Sequence, residues 1–142
     1  MIQKKGSANW KGSLTEGTGT ISTESRVLEN VNYGFKKRFE GEPGSNPEEL
    51  IGAAHASCFS MALSMILGEA GFTADDISTE ATVSLEKNDD GFAVTKSHLD
   101  VKASVPNATA ADFDKAAQTA KENCPLSKVL KAEISMEATL KS

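Results

Sequence analysis

The chain of 142 residues has the length of one globular domain and is too short for two ordinary ones, so we expect a single domain over residues 1–142. Hydrophobic residues make up 39% and charged residues 25%, a composition that excludes a disordered chain. With 15 Lys and Arg against 20 Asp and Glu, the net charge of −5 argues against general binding to nucleic acid or to an anionic membrane.

The first part of the chain predicts short strands and gives no export signal. Residues 1–7 carry two lysines without a following apolar run, so they do not resemble a signal peptide, and we expect a cytoplasmic protein with reduced cysteines. A loose alternation of apolar and polar residues predicts strands over residues 7–12 and 17–23. A third strand is predicted over 33–39, with aromatic residues at 33, 35 and 39 on one face.

A long helix is the clearest local prediction. Asn46 is a suitable N-cap, Pro47 falls at the first helical position, and Glu49 can bond back to the cap. Gly71 is expected to end the helix. Residues 50–68 contain no charged side chain, so this segment is long enough to cross a membrane. Its flanks are acidic, however, and lack the Lys or Arg residues that set the orientation of a membrane helix. We therefore expect a helix buried within protein on nearly all sides, covered by a second copy in a homodimer.

The second half of the chain alternates strands and helices. Strands are predicted over 79–86, 92–95, 98–105 and 134–140, a hairpin turn at 88–91, and helices over 109–123 and 125–130. The order of strands, long helix, strands, two helices and a final strand indicates an α+β fold with antiparallel sheets.

The two cysteines are the main candidates for chemistry. Cys58 falls near the middle of the apolar helix, where cysteine usually packs as a small hydrophobe and where desolvation raises a thiol pKa. A nucleophilic role would need another group to stabilise its thiolate. Cys124 precedes Pro125 at a helix start, where free backbone N–H groups favour a thiolate. As a pair they would suit attack on an oxidant by one thiolate and capture of the sulfenic acid by the other thiol.

Three further side chains leave alternatives open. His55, three residues before Cys58, raises the alternative of a Cys–His hydrolase or acyltransferase, although no Asn or Asp lies nearby to orient its ring. By pattern alone, Arg38 is typical of a solvated strand edge and Glu48 of a first-turn carboxylate. A non-catalytic thiol redox sensor or a small-ligand binding protein is the other alternative.

Residues 46–59, which include Cys58, together with the later Cys124-Pro125, resemble the OsmC/Ohr family of bacterial thiol peroxidases. The resemblance extends over residues 1–142. It implies an OsmC-like fold, with sheets around a long buried central helix in an intertwined homodimer. It also implies a peroxidase for oxidative or osmotic stress that reduces organic hydroperoxides, and hydrogen peroxide less well, without a haem or metal cofactor.

The same resemblance implies a role for each candidate residue. Cys58 matches the peroxidatic cysteine and Cys124 the resolving cysteine, so that a Cys58–Cys124 disulfide forms and a thiol or dithiol reductant recycles it. Arg38 matches the arginine beside the reactive thiolate, and Glu48 the carboxylate that holds this arginine. Ten residues separate Glu48 from Cys58, about 15 Å along a continuous helix. Either the turn over residues 46–50 departs from the helix axis or Glu48 reaches Cys58 of the partner protomer, and we expect the second. The apolar side chains expected to line a substrate pocket are Phe35, Phe39, Phe59 and Met61.

Overall fold

The computed structural model describes residues 1–141 of the chain. Contacts divide the chain into two compact units, Met1–Leu50 and the part that begins at Ile51. The expectation of one domain over the whole chain stays a prediction.

The N-terminal unit is built on a small antiparallel sheet. Its strands are β1 (Gly6–Lys11), β2 (Thr18–Thr23) and β3 (Val31–Tyr33), in that order across the sheet. The Trp10 and Tyr33 rings approach to 5.4 Å between centroids. Gly19 lies beside both rings, since a Cβ at this position would come within 2.5 Å of each. The missing side chain therefore makes room for an aromatic wall.

A short helix replaces the strand that was predicted over residues 33–39. Only its first residue belongs to a strand, as the end of β3; Gly34 is still extended, and Phe35–Phe39 forms the helix α1. The physical reason is that the spacing of the aromatic residues fits both structures: Phe35 and Phe39, four apart, share a face in a helix as well as in a strand, and in the helix their ring centroids lie 5.1 Å apart. Three basic residues occupy the last turn, where the helix dipole favours positive charge.

The long helix α2 (Pro47–Glu69) has the predicted ends. The Glu49 N–H donates to Asn46 Oδ1 at 2.8 Å, and the Asn46 side-chain amide donates back to the Glu49 carboxylate. At the other end Gly71 has a φ of 91°, and the Phe72 N–H donates to the Leu67 carbonyl at 2.8 Å. Each terminus is therefore closed by a hydrogen bond between residues a few positions apart.

Helix α2 is buried on one face and exposed on another. Its buried residues recur every three or four positions and are Gly52, His55, Phe59, Leu63 and Leu67. The exposed face is apolar or small, with Met61 77% and Met65 61% exposed. In the single chain the second sheet covers one face only, so the expectation of a helix buried on nearly all sides, with a second copy as cover, stays a prediction. By length and composition α2 could also cross a membrane, a property that core helices of soluble proteins share.

A second sheet supports the buried face of α2. The strands β4 (Asp76–Asn88) and β5 (Gly91–Ser104) form an antiparallel hairpin at the predicted turn, and β5 is continuous where two segments were expected. The last strand β6 (Glu133–Leu140) pairs with β5 in parallel, so the expectation of antiparallel sheets is wrong for this pair. The reason is the connection, because two helices between β5 and β6 return the chain to the opposite end of the sheet.

Those two helices are α3 (Ala110–Asn123) and α4 (Pro125–Val129). Thr109 and Asp112 form a capping box at the start of α3, as the sequence predicts for Thr109. The residues that α3, β5 and their flanks bury with α2 are Leu99, Val101, Ala103, Val105, Phe113, Ala116, Ala117, Ala120 and Cys124. This core includes Cys124, at the junction of α3 and α4.

Candidate functional site

The two cysteines lie side by side in the C-terminal unit. Cys58 is at the middle of α2 and half-buried, whereas Cys124 is fully buried between α3 and α4. Both are thiols, and the Cys124 Sγ–H donates to Cys58 Sγ at 3.2 Å. The fold thus joins two residues that are 66 positions apart in the chain. A disulfide needs about 2.05 Å, so small side-chain movements suffice to form one.

The surroundings of Cys58 within its unit raise the pKa of its thiol. Burial is the main cause, and the neighbouring Cys124 sulfur acts in the same direction. The backbone N–H of Leu126, in the first turn of α4, donates to the Cys58 sulfur and opposes this increase in pKa. Because burial outweighs this hydrogen bond, Cys58 needs a further positive group to become a thiolate at neutral pH.

His55 is fully buried and uses both ring nitrogens inside the C-terminal unit. Its Nδ1 lies 2.7 Å from Ser97 Oγ on β5, and its Nε2 lies 2.8 Å from Ser127 Oγ on α4. Burial lowers the pKa of His55, which favours the neutral ring. With both nitrogens engaged by serine hydroxyls, neither is placed to take a proton from Cys58. This arrangement does not support the alternative of a Cys–His hydrolase.

Arg38 and Glu48 contact each other in the N-terminal unit. Arg38 Nε donates to Glu48 Oε1 at 2.8 Å and to Oε2 at 3.3 Å. The guanidinium also lies 5.2 Å from the centre of the Phe39 ring. An arginine has five N–H donors, so the bond from Nε leaves its terminal nitrogens able to bind a second acceptor. Glu48 and Phe39 thus fix the orientation of a permanent cation.

An aromatic cavity of about 240 Å³ adjoins this arginine in the N-terminal unit. It is lined by Trp10, Leu14, Tyr33, Gly34, Phe35, Arg38 and Phe39. Two of the four expected pocket residues, Phe35 and Phe39, are therefore part of it. Phe59 is not, because it is fully buried in the core of the C-terminal unit, and Met61 lies on the exposed face of α2. Within residues 1–141, no three His, Cys, Asp or Glu side chains are grouped so as to hold a metal ion.

The groups around the sulfurs and around His55 were not predicted from the sequence. The helix start at Pro125 was expected to act on Cys124, whereas the Leu126 N–H at that start contacts Cys58. Pro125 was the available signal, because proline at the first helical position leaves the next N–H without a helical partner. No sequence pattern near Ser97 or Ser127 indicates a contact with His55, because both serines are distant from it in the chain and only the fold brings them together.

Comparisons with known proteins identify the relatives of this chain. The family model described as OsmC-like protein matches residues 39–139. Peroxiredoxin OsmC of Escherichia coli is 60% identical over 141 residues, which cover 99% of each chain. The organic hydroperoxide resistance protein OhrB of Bacillus subtilis is 28% identical over 127 residues, 87% of this chain and 89% of that protein.

Solved structures share the fold. The crystal structure of Bacillus subtilis OhrB aligns with a TM-score of 0.70 at 24% identity and covers 99% of this chain and 98% of that one. An OsmC-like protein from Vibrio cholerae aligns with a TM-score of 0.76 at 20% identity, covering 97% and 99%. The α+β fold is therefore the one that these proteins adopt.

Proposed function

The chain belongs to the OsmC-like protein family, and we propose on this premise that it is a peroxidase that reduces organic hydroperoxides to alcohols with electrons from a dithiol. The observation that carries the proposal is the pair of free thiols, Cys58 and Cys124, 3.2 Å apart at the edge of the core. The 60% identity to a peroxiredoxin over the whole chain supports the peroxidase class. The word "hydroperoxide" in the names of more distant relatives supports the substrate class.

Cys58 performs the first step. Its thiolate attacks the distal oxygen of the hydroperoxide, the O–O bond breaks, and the departing alkoxide takes a proton to become an alcohol. The sulfur is oxidised to a sulfenic acid while the peroxide is reduced by two electrons. The partial exposure of Cys58 supports this role, because the attacking sulfur has to meet substrate.

Cys124 performs the second step. Its sulfur attacks the sulfenic sulfur of Cys58, the S–O bond breaks, and water leaves as the disulfide forms. An external dithiol then exchanges with this disulfide and returns both thiols, supplying two electrons and two protons. The full burial of Cys124 supports this division of roles, since a buried thiol reacts with its neighbour and not with substrate.

Arg38 supplies the positive charge that Cys58 needs, and Glu48 holds Arg38 in place. A free thiol with a pKa of about 8.5 is only about 3% ionised at pH 7. Lowering this pKa by two units requires about 2.7 kcal/mol. One guanidinium at about 4 Å provides up to about 4 kcal/mol at an effective dielectric constant near 20. A single arginine therefore meets this requirement and leaves up to about 1 kcal/mol to offset the burial that raises the pKa of Cys58. Its charge also stabilises the developing alkoxide.

The aromatic cavity beside Arg38 suits the organic part of the substrate. Its walls include the rings of Phe35, Phe39 and Trp10, which favour an apolar tail next to a cation that binds the peroxide oxygens. Hydrogen peroxide has no such tail, so it gains nothing from the rings and is the poorer substrate.

The functional form is a homodimer in which α2 packs against a second α2. The exposed face of the helix supports this, because it carries no charged side chain between Glu49 and Glu69. The exposed residues between these two are Leu50, Ala53, Ala54, Ser57, Met61, Ser64, Met65 and Gly68. Small residues let two helices approach closely, and the two methionines fill gaps between them. In this dimer Glu48 and Arg38 of one protomer serve Cys58 of the partner protomer.

Turnover with a dithiol tests the proposal. Wild-type protein with tert-butyl hydroperoxide and dithiothreitol is expected to consume many equivalents of peroxide per chain. Cys58→Ser is expected to consume none, and Cys124→Ser to undergo one oxidation and then stop or over-oxidise. Consumption of a single equivalent by the wild type would instead identify a redox sensor, and an unchanged rate in Cys58→Ser would refute the assignment.

A further inference from the structure

His55 connects the long helix to the segment that follows Cys124. On one side it contacts Ser97 in β5, the central strand of the second sheet, and on the other Ser127 in α4. The ring and Ser97 are both fully buried, so this end of the connection is fixed in the core. The Ser127 end is attached to a helix of only five residues.

The short helix α4 carries two groups that concern Cys58. Cys124 immediately precedes it, and the Leu126 N–H, which donates to the Cys58 sulfur, belongs to its first turn. So short a helix contributes little stability of its own. Its position relative to α2 therefore depends on side-chain contacts, and the His55–Ser127 hydrogen bond is one that ties it directly to α2.

We propose that His55 is a positioning residue: through Ser127 it holds α4 so that the sulfur of Cys124 stays within bonding range of Cys58. The inference rests on the proposed function, because it assigns His55 to the step in which Cys124 attacks the Cys58 sulfenic acid. That attack closes the sulfur separation from 3.2 Å to a covalent bond, and it requires approach in line with the S–O bond that breaks. A displacement of α4 by an ångström or two would remove Cys124 from this line.

The same unit offers a matched control. His98 Nδ1 lies 2.6 Å from Ser135 Oγ, a pair that joins β5 to β6 and includes no residue of α4. Ser127→Ala and Ser135→Ala therefore each remove one serine hydroxyl from one histidine. Only the first removes a contact to α4.

The experiment separates the two chemical steps. Each variant is mixed rapidly with tert-butyl hydroperoxide, and sulfenic acid and disulfide are followed by trapping and intact mass. In Ser127→Ala we expect disulfide formation to slow roughly three- to tenfold, the factor that one hydrogen bond carries, while oxidation of Cys58 changes less. Ser127→Thr keeps the hydroxyl and is expected to restore the rate, and Ser135→Ala to leave both steps unchanged. Thermal melts establish that each variant is folded.

A second oxidant makes the outcome independent of the proposed function. Diamide accepts the two hydrogens of the thiols directly, so it forms the Cys58–Cys124 disulfide without peroxide. Failure of the wild type to react with peroxide would remove the proposed function, and the diamide rates would still decide whether Ser127 positions Cys124. A Ser127→Ala protein that forms the disulfide at the wild-type rate with both oxidants would overturn the inference. Equal slowing in Ser135→Ala would do the same, because it would indicate a general loss of packing.

Discussion

Oxidation of the thiol pair is expected to stabilise the fold. The two sulfurs already lie 3.2 Å apart in the reduced protein, so closing the bond requires about 1 Å of approach and little change in the native backbone. The native state therefore gains little strain from the bond. The unfolded state is restricted much more, because the bond closes a loop between residues 66 positions apart.

The size of this effect follows from the loop length. For a loop of this size, the loss of chain entropy in the unfolded state corresponds to about 4 kcal/mol at 25 °C, an upper value that residual structure reduces to about 2–4 kcal/mol. For a chain of this length, each kcal/mol shifts the melting temperature by roughly 3 °C. The oxidised protein is therefore expected to melt roughly 6–12 °C above the reduced protein.

Thermal unfolding at one fixed protein concentration measures this difference. One sample is oxidised with a stoichiometric amount of peroxide and checked for loss of both thiols, and the other is kept in dithiothreitol. Cys124→Ser is the control, since it can form no intramolecular bond and should not show the increase. Melting temperatures within about 2 °C of each other for the two wild-type samples would refute the reasoning, because they would mean that the native fold opposes the bond.

Three further predictions concern the core, the buried histidine and the exposed helix face. Phe59→Ala should lower the free energy of unfolding by about 3–5 kcal/mol in urea titrations, because the ring is fully buried; a loss below about 1 kcal/mol would contradict that burial. Burial lowers the pKa of His55 below its unfolded value, so the unfolded chain binds more protons in acid. Stability should therefore fall as the pH decreases below about 6.5, more steeply in the wild type than in His55→Gln, and equal slopes would refute this. Met61→Asp should dissociate the homodimer in sedimentation experiments, whereas Val27→Asp, at another highly exposed apolar residue, should not; a dimer that survives Met61→Asp would contradict the proposed interface.

Local signals allowed much of the fold to be predicted. The caps at Asn46 and Thr109 and the stop at Gly71 depend on residues within a few positions of each other, so the sequence displays them directly. The strand predicted over 33–39 was wrong because its aromatic spacing fits a helix as well as a strand. Residues 35 and 39 share a face in both, and only the fold decides between them.

Features that depend on contacts between distant residues could not be predicted from local sequence patterns. The parallel pairing of β6 with β5 depends on where two intervening helices return the chain, which no property of β6 itself specifies. The proximity of Cys58 to Cys124 was implied by resemblance, and its geometry comes from the fold. The His55–Ser127 contact joins residues 72 positions apart and had no counterpart in the sequence analysis.

The pKa of Cys58 is the most direct test of the central claim that Arg38 keeps this sulfur ionised. Thiolate absorbance is titrated in the Cys124→Ser background, so that Cys58 is the only cysteine observed, with and without Arg38→Met. Lys37→Met is the matched control, since Lys37 adjoins Arg38 on α1 but pairs with Glu42 at 3.0 Å. We predict that Cys58 titrates below the ordinary pKa of a free thiol and that Arg38→Met raises its pKa, while Lys37→Met has little effect. A pKa at or above about 8.5 that Arg38→Met leaves unchanged would contradict the account.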